Sequence, residues 1–206
     1  MACAWAELDL EYSVVYKRTE DWKNDWIAKK GPYSDLQFEV LLDCARGIGN
    51  ERDKSSALQE IAAALNQQGQ ASASVMQESL AIARGISSNY EKSRTLKDIA
   101  VELSKQGEVE ESLAIACGIN DDLQKSSSLK EIAVELSKQS QVEASMSIAR
   151  GLSDEYYKSS ALIAIAVELS KQGRVEESAT VMQESLSIAR GINDDWQKSR
   201  ALKDIA

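Results

Sequence analysis

Histidine is absent from this chain of 206 residues, and proline and phenylalanine occur once each. Without histidine, the commonest general base and the commonest metal ligand are both missing. No Cys-x-x-Cys pair is present to hold zinc, and the glycines stand mostly singly rather than in a phosphate-binding loop. We therefore predict no enzymatic activity, no cofactor and no metal site.

Positive charge is also scarce, because 24 Lys and Arg face 33 Asp and Glu and leave a net charge of −9. This balance disfavours binding that relies on neutralising phosphates, whether of nucleic acid or of an anionic membrane. No apolar run approaches the roughly 18 residues of a membrane span, and Met1–Glu11 lacks a signal-peptide pattern. Three cysteines at unrelated spacing, Cys3, Cys44 and Cys117, indicate free thiols that act as small apolar fillers in a reducing compartment. We expect a cytoplasmic protein.

What the chain does contain is an internal repeat. The dipeptide Lys-Ser recurs at intervals of 38, 33, 33 and 40 residues, and Ala-Arg-Gly-Ile or a close variant closes each unit at the same intervals. Self-similarity at such a period is the signature of a stacked array. The lysines of the dipeptide are Lys54, Lys92, Lys125, Lys158 and Lys198, and the closing residues are Ile48, Ile86, Ile119, Leu152 and Ile192.

The first half of each unit has the spacing of an amphipathic helix. Leu129, Ile132, Ala133 and Leu136 lie at i, i+3, i+4 and i+7, which places them in one stripe. The other units repeat this stripe at Leu58/Ile61/Ala62/Leu65, Leu96/Ile99/Ala100/Leu103 and Leu162/Ile165/Ala166/Leu169.

Glycine is expected to end this first helix in a left-handed conformation, at Gly69, Gly107 and Gly173. Ser140 takes the same place in one unit, so that turn should be the least comfortable. The second half carries another apolar stripe, for example Val109, Ser112, Leu113 and Ala116, and its Arg-Gly-Ile is expected to stop the second helix. We predict Asn120, Ser153 and Asn193 as N-caps of the following helices, each with acidic residues in the first turn.

The two longer units add Val-Met-Gln-Glu-Ser, at Val75–Ser79 and Val181–Ser185. At about 3.6 residues per turn, the extra residues should lengthen the second helix by one to two turns. Because two short units separate two long ones, we expect irregular curvature.

One stretch resembles the tetratricopeptide repeat (TPR) family. Ala161, Leu162, Ile165, Ala166 and Leu169 are followed by Lys171-Gln172-Gly173 and Val175-Glu176-Glu177-Ser178, and the match continues through Met182 and Ser185-Leu186. The resemblance covers residues 54–206 and implies an all-α fold, an α-α superhelix (solenoid) of stacked antiparallel helix pairs. Leucine stands at the family's Trp and Tyr positions, the closing Pro is missing, and the repeat lengths of 33–40 are irregular. A pentatricopeptide or another helical-pair repeat is the competing family.

We predict a single array over residues 1–206. Residues 1–48, which include three of the four tryptophans, form a degenerate capping unit or an aromatic patch for a partner. Four repeats follow at 49–86, 87–119, 120–152 and 153–192, and a partial repeat at 193–206 stops in the middle of its stripe. This favours a fragment of a longer array over an end covered by another subunit, so a monomer or an end-to-end oligomer is expected.

In TPR-like stacks, the first helix of each pair lines the concave face. The resemblance therefore implies a partner-binding groove in which small apolar residues are flanked by charges of both signs. Its residues would be Gln59, Glu60, Ala63, Lys97, Asp98, Val101, Lys130, Glu131, Val134, Ile163, Ala164 and Val167. The alternative is that the valines pack against the neighbouring helix.

Two recurring charges have structural interpretations. Glu102, Glu135 and Glu168 read as a solvated or interhelical charge ladder, because a catalytic carboxylate would be expected once and not in every repeat. The arginines of Ala-Arg-Gly-Ile lie where a helix C-terminus stabilises a cation, at Arg46, Arg84, Arg150 and Arg190.

The leading functional hypothesis is a protein-protein interaction scaffold or adaptor that binds a peptide or helix of a partner on the concave face, without contact to nucleic acid or membrane. The alternatives are an RNA-binding helical-repeat protein and a regulatory or sensing segment of a larger protein.

Overall fold

A computed structural model describes residues 35–205, with side chains from Phe38 onward. This part of the chain consists of ten α-helices joined by short turns and contains no strand. The prediction of an all-α fold of packed helix pairs is confirmed. The chain divides into two compact units, of which one ends at Ser87 and the other begins at Ser88. This division lies one residue after the predicted boundary between the repeats 49–86 and 87–119, and the single array remains a prediction.

The first unit contains three described helices, α1 (Asp35–Arg46), α2 (Glu51–Gln67) and α3 (Ala73–Gly85). Helix α2 packs against both others. Leu58 and Ile61 of its stripe are fully buried, and Met76 and Leu80 of α3 are almost fully buried. Helix α1 lies within the predicted capping unit, of which residues 1–34 lie outside the described residues.

The second unit contains first helices and second helices in alternation. The first helices contact one another in succession, each of the first three packs on the second helix of its own pair, and each second helix contacts the next first helix. The first helices are α4 (Asn89–Lys105), α6 (Asp122–Lys138), α8 (Glu155–Lys171) and α10 (Asp195–Ile205), and the second helices are α5 (Val109–Cys117), α7 (Val142–Gly151) and α9 (Val175–Gly191).

The predicted stripes form the core with one correction at their N-terminal position. Ile132, Ala133 and Leu136 are fully buried, but Leu129 is only half-buried, as is its equivalent Leu96. The preceding small residue takes the inward place instead: Ser128 is fully buried in α6 and Thr95 nearly so in α4. A small polar side chain at this point lets the helices approach more closely than a leucine would allow.

The turns that end the first helices have the predicted conformation. Gly69, Gly107 and Gly173 have φ of 70°, 86° and 80°, and Ser140 has φ of 63°. In each copy the next residue donates its N–H to the carbonyl of the last stripe leucine, as Gln141 N does to Leu136 O at 2.8 Å. This is the Schellman arrangement, which satisfies the last helical carbonyls. Ser140 therefore adopts a conformation that costs little only for glycine.

The predicted N-caps are wrong by one residue. Asp121, and not Asn120, accepts a hydrogen bond from the backbone N–H three positions on, at 2.8 Å. Asp154 and Asp194 make the same contact at 3.0 and 2.7 Å, in place of Ser153 and Asn193. Where two acidic residues follow each other, the first caps the helix, because its carboxylate reaches the third N–H. Only the second then lies in the first turn.

The added residues lengthen the second helix as predicted. Helix α9 has 17 residues, whereas the second helices of the two short pairs, α5 and α7, have 9 and 10. Helix α3 gains less, with 13 residues, because it begins only at Ala73. Ile86, Leu152 and Ile192 follow these helices and are buried, so the apolar residue after each Arg-Gly packs back as expected.

Candidate partner-binding face

The candidate binding face is the layer of first helices in the second unit. The predicted small apolar residues of this layer, here called the valine row, are Val101, Val134 and Val167. Val101 and Val134 are half-buried, and 43% of Val167 is exposed. Neighbouring helices therefore do not enclose the row. In the first unit, Ala63 has the equivalent place and is half-buried, as are Gln59 and Glu60.

Two of the predicted charges on this face bind each other. Lys97 Nζ of α4 lies 3.0 Å from Glu131 Oε1 of α6, and Ser127 Oγ lies 3.2 Å from the same oxygen. The ion pair joins successive first helices beside the valine row. Asp98 is exposed and Lys130 half-buried at the neighbouring positions. A partner would thus meet a surface on which part of the charge is already neutralised.

One predicted groove residue belongs to the core instead. Ile163 is only 8% exposed, although its equivalents are Lys97 and Lys130. A lysine keeps its ammonium in water by extending along the surface, whereas isoleucine has no polar end and packs inward. Ala164 beside it is half-buried. The groove prediction is therefore corrected at Ile163, and the fourth repeat has no cation at the place that Lys97 and Lys130 take in the two repeats before it.

The sequence suggested that the recurring glutamates are either solvated or paired between helices. The structure shows neither arrangement. Each pairs with the lysine three residues further along its own helix, at 3.1, 3.0 and 3.2 Å, and each glutamate side chain is only 16–18% exposed. Such i,i+3 pairs support the last turn of each first helix. The pairs are Glu102–Lys105, Glu135–Lys138 and Glu168–Lys171.

Glutamines at the turns hold successive first helices in register. Gln139 Nε2 donates to the carbonyl oxygen of Ser104 at 2.8 Å, and Gln172 Nε2 donates to that of Ser137 at 2.8 Å. Each carbonyl also accepts the N–H of the following turn residue, from Gly107 N at 3.2 Å and from Ser140 N at 3.0 Å, so the glutamine is a second donor. These contacts join each first helix of the candidate face to the one before it.

Two of the recurring arginines form ion pairs that the sequence did not suggest. Arg46 Nη2 of α1 lies 2.8 Å from Glu78 Oε2 of α3, and Arg150 Nη2 of α7 lies 2.7 Å from Glu184 Oε2 of α9. In both pairs Nε donates to the other carboxylate oxygen. The hydrogen bonds to arginine hold the pKa values of Glu78 and Glu184 below the ordinary value of 4.5.

Both glutamates belong to the added Val-Met-Gln-Glu-Ser residues, so each long unit binds the second helix before it. Arg84 is exposed. The predicted role at a helix C-terminus therefore describes Arg46 and Arg150 only in part, because each also binds a glutamate of another helix.

The structure also displays a second row of apolar side chains, which the sequence analysis missed. Tyr90, Leu123 and Trp196 are 60%, 59% and 67% exposed, and Tyr156 is half-buried. All four take the second position of successive first helices, and we call them the terminal row. Each precedes the lysine of the Lys-Ser dipeptide by two residues, and that spacing could have revealed the row.

The aromatic members of the terminal row interact with a cation. Arg200 Cζ lies 5.1 Å from the ring centroid of Tyr156 and 5.4 Å from that of Trp196. Both distances are within the roughly 6 Å range of cation–π attraction. Tyr156 also meets Tyr157 edge to face, with 5.4 Å between ring centroids. Burial raises the pKa of the Tyr156 hydroxyl.

The first unit has an open cavity of about 530 Å³ between α1, α2 and α3. Arg46 and Glu78 at its wall already bind each other, and Glu51 and Lys54 complete its charged lining. The cavity therefore offers balanced charge and is open to solvent, which does not favour a small-molecule ligand.

The described cysteines differ in exposure. Cys44 is half-buried, and burial raises the pKa of its thiol, whereas Cys117 is exposed. Cys117 is thus not the apolar filler that we predicted, since it replaces the exposed arginine of Ala-Arg-Gly-Ile. Cys3 lies outside the described residues. Within residues 35–205, no group of three or more Cys, Asp or Glu side chains could hold a metal ion, and no helix is long and apolar enough to cross a membrane.

Comparisons with known proteins leave the family open. No protein-family model matches the sequence, and no curated protein matches it. The crystal structure of Ton1535 from Thermococcus onnurineus NA1 is similar to this chain, with a TM-score of 0.39 and 18% sequence identity. The alignment covers 81% of this chain and 53% of that chain, so this chain spans about half the length of Ton1535. A similarity this weak does not assign the chain to a family.

Proposed function

We propose that this protein is a TPR-like interaction scaffold in the cytoplasm, which binds a peptide or a helix of a partner protein on its layer of first helices. The observation that carries the proposal is the valine row. Val101, Val134 and Val167 recur at one place in three successive repeats and keep exposed surface, although apolar residues at a regular helical spacing usually become core.

The surroundings of the valine row support this role. A short apolar strip flanked by polar side chains has the composition of a protein-binding site, with a dry centre and a wet rim. The Lys97–Glu131 pair and the glutamine contacts fix the backbone on either side of the strip. A face that is rigid before binding loses less conformational entropy when the partner docks.

Site-specific photocrosslinking would test the proposal. A photoreactive amino acid at Val134 or Val167 should give crosslinked adducts with a discrete protein from the native cell extract. The same group at Ser147, an exposed residue on second helix α7, is the matched control and should give none. Adducts of equal yield from Ser147, or no protein adduct from the valine row, would contradict the proposal.

Lys130→Ala separates binding from stability. Because Lys130 is half-buried on the surface, its removal should change the free energy of unfolding by no more than about 0.5 kcal/mol. The same variant should lower the yield of adducts from Val134. The RNA-binding alternative predicts retention on immobilised RNA at about 50 mM salt that weakens steeply with added salt. Such retention would replace the proposed function.

A further inference from the structure

The terminal row repeats as regularly as the core does, but it faces water. Single exposed apolar residues are ordinary on protein surfaces. Here four successive first helices carry Tyr90, Leu123, Tyr156 and Trp196 at the same position, and three of the four are more than half exposed. Since these helices contact one another in order, the four side chains follow one another along the N-terminal ends of the layer. Several exposed apolar side chains in one region mark an interaction surface.

We propose that the terminal row docks a basic segment of the partner protein that carries arginines at regular intervals. The proposal rests on the function proposed above and adds the chemistry of the partner. The occupant is a protein segment and not a nucleic acid, because the surroundings of the row are acidic.

Charge around the row favours a cationic occupant. Asp122, Glu155 and Asp195 directly precede Leu123, Tyr156 and Trp196, and all three acidic residues are exposed. The N-capping residues Asp121, Asp154 and Asp194 add three carboxylates at the same edge.

Around the terminal row, positively charged side chains are fewer than negatively charged ones. Arg94 and Arg200 follow Tyr90 and Trp196 by four residues and share their helix face, and Arg200 is already held by the rings. The lysines two residues after each row member lie on another side of the helix, because residues at i and i+2 do not face each other. With a net charge of −9 on the whole chain, long-range attraction also favours a basic partner.

The rings themselves show which cation fits. Arg200 lies over the rings of both Tyr156 and Trp196, so these aromatic faces accept a guanidinium group in the structure. Arginine stacks on aromatic rings more often than lysine does, because its planar group is weakly hydrated. Trp196 keeps 67% of its surface exposed beside Arg200 and leaves room for a second planar cation.

Helix spacing sets the expected interval in the partner. Packed helices lie about 8–10 Å apart, and a segment in the polyproline II conformation has three residues per turn and advances about 3.1 Å per residue. Arginines at every third residue of such a segment share one face about 9 Å apart, so they would meet successive members of the terminal row.

The test measures binding of labelled synthetic peptides to the full chain by fluorescence anisotropy. The probe is an Arg-x-x-Arg-x-x-Arg peptide in which x is glycine or serine. Its controls have the same composition with the arginines adjacent, or lysine or glutamate in place of arginine. The row variant is Tyr90→Ser together with Leu123→Ser and Trp196→Ser. The matched control is Val175→Ser, an apolar residue that is 63% exposed at the start of α9 and outside the row.

The proposal predicts that the spaced arginine peptide binds and that the row variant binds it about tenfold more weakly, which corresponds to the loss of the two exposed cation–π contacts at Tyr90 and Trp196. Val175→Ser should leave its affinity unchanged, and circular dichroism should show the same helix content in all variants. Added salt should weaken binding, because exposed charges are screened beyond about 10 Å at 0.1 M ionic strength.

Three results would overturn the proposal: no binding of the arginine peptide, equal binding of the glutamate peptide, or equal binding by the row variant. If, in addition, photocrosslinks from the valine row still capture a protein, the scaffold function stands and only the basic partner is wrong. If the native chain neither gives those crosslinks nor binds the peptide, the scaffold function is wrong as well.

Discussion

The short and long helix pairs differ in how the second helix contacts the first. In the short pairs of the second unit, one serine of the second helix donates to a carbonyl in the first helix. Ser112 Oγ lies 2.6 Å from the carbonyl oxygen of Ala100, and Ser145 makes the same contact with Ala133. All four residues are fully buried. The small serine lets the two helices approach closely, and its hydroxyl has a hydrogen-bond partner.

The long pair α8/α9 contains this contact and a second one two turns further along. Ser178 Oγ lies 2.7 Å from the carbonyl oxygen of Ala166. Seven residues on, Ser185 Oγ lies 2.9 Å from the carbonyl oxygen of Ser159 and 3.0 Å from its hydroxyl. Ser159 is likewise seven residues before Ala166. Because seven residues are about two turns, the insertion keeps the same face inward on both helices.

The long pair α2/α3 in the first unit keeps only the second of these contacts. Ser79 Oγ lies 2.7 Å from the carbonyl oxygen of Ser55, and the two hydroxyls are 3.0 Å apart. Its insertion has five residues, which is not a whole number of turns, and α3 begins later at Ala73. Both long pairs therefore keep the same side of the second helix facing inward near its closing Ala-Arg-Gly-Ile, whereas the start of the second helix differs between them.

The largest expected effect tests what the two kinds of pair share. Leu136 in a short pair and Leu169 in the long pair are both fully buried at the same stripe position. Leu136→Ala and Leu169→Ala should each lower the free energy of unfolding by about 2–5 kcal/mol, since each leaves a cavity. Denaturant titration checks both, with the exposed Leu123→Ala as control. A clearly smaller loss at one site would show that the cores are not equivalent.

A smaller effect is expected where the pairs differ. Ser185→Val forces a branched side chain into the close contact with Ser159 and should cost about 1–3 kcal/mol by overpacking. Ser187→Val, two residues away at an exposed site of α9, should be near neutral. Thermal unfolding of both variants measures the difference. Equal melting temperatures would mean that the added turns are not held by serine contacts.

The turns that end the first helices provide the next test. Ser140→Gly should raise the free energy of unfolding by about 0.5–1 kcal/mol. The left-handed conformation costs a non-glycine residue roughly 1–2 kcal/mol, and glycine's greater freedom in the unfolded chain offsets part of that gain. Gly107→Ser should lower stability in return. Chemical denaturation of the two variants measures the pair, and a loss of stability in Ser140→Gly would contradict the strained turn.

The smallest effect concerns the ion pairs of the long units. Glu184→Gln should cost about 0.2–1 kcal/mol at neutral pH, because Arg150 is largely exposed. The folded pKa of Glu184 lies below 4.5, so the pair contributes its full stability above that pH and loses it as pH falls through the folded pKa. Stability curves of the native chain and Glu184→Gln should therefore converge in acid. Curves that stay parallel from pH 7 to pH 3 would contradict this linkage.

Much of the fold could be predicted from residue spacing, but the contacts between repeats could not. The stripe at Ile132, Ala133 and Leu136 and the turn at Ser140 follow from local rules of helix periodicity and capping. The inward place of Ser128 and the burial of Ile163 depend on how closely the neighbouring helix approaches, which local rules do not contain.

The candidate site shows the same division. Spacing placed the valine row on one face of the first helices, and the structure left it uncovered. The pairing of Lys97 with Glu131 could not be read from the sequence, because it joins residues 34 positions apart on different helices. The terminal row was missed because its members share a position but not a residue type.

By itself, the sequence determined the helices, the turns that end the first helices and the spacing of the repeat, since these depend on interactions within a few residues of one another. The tertiary structure decided which of the repeated positions are enclosed, which charges neutralise each other, and which apolar side chains stay in water. Those outcomes depend on the distance between helix axes, and that distance is set by every side chain packed between them.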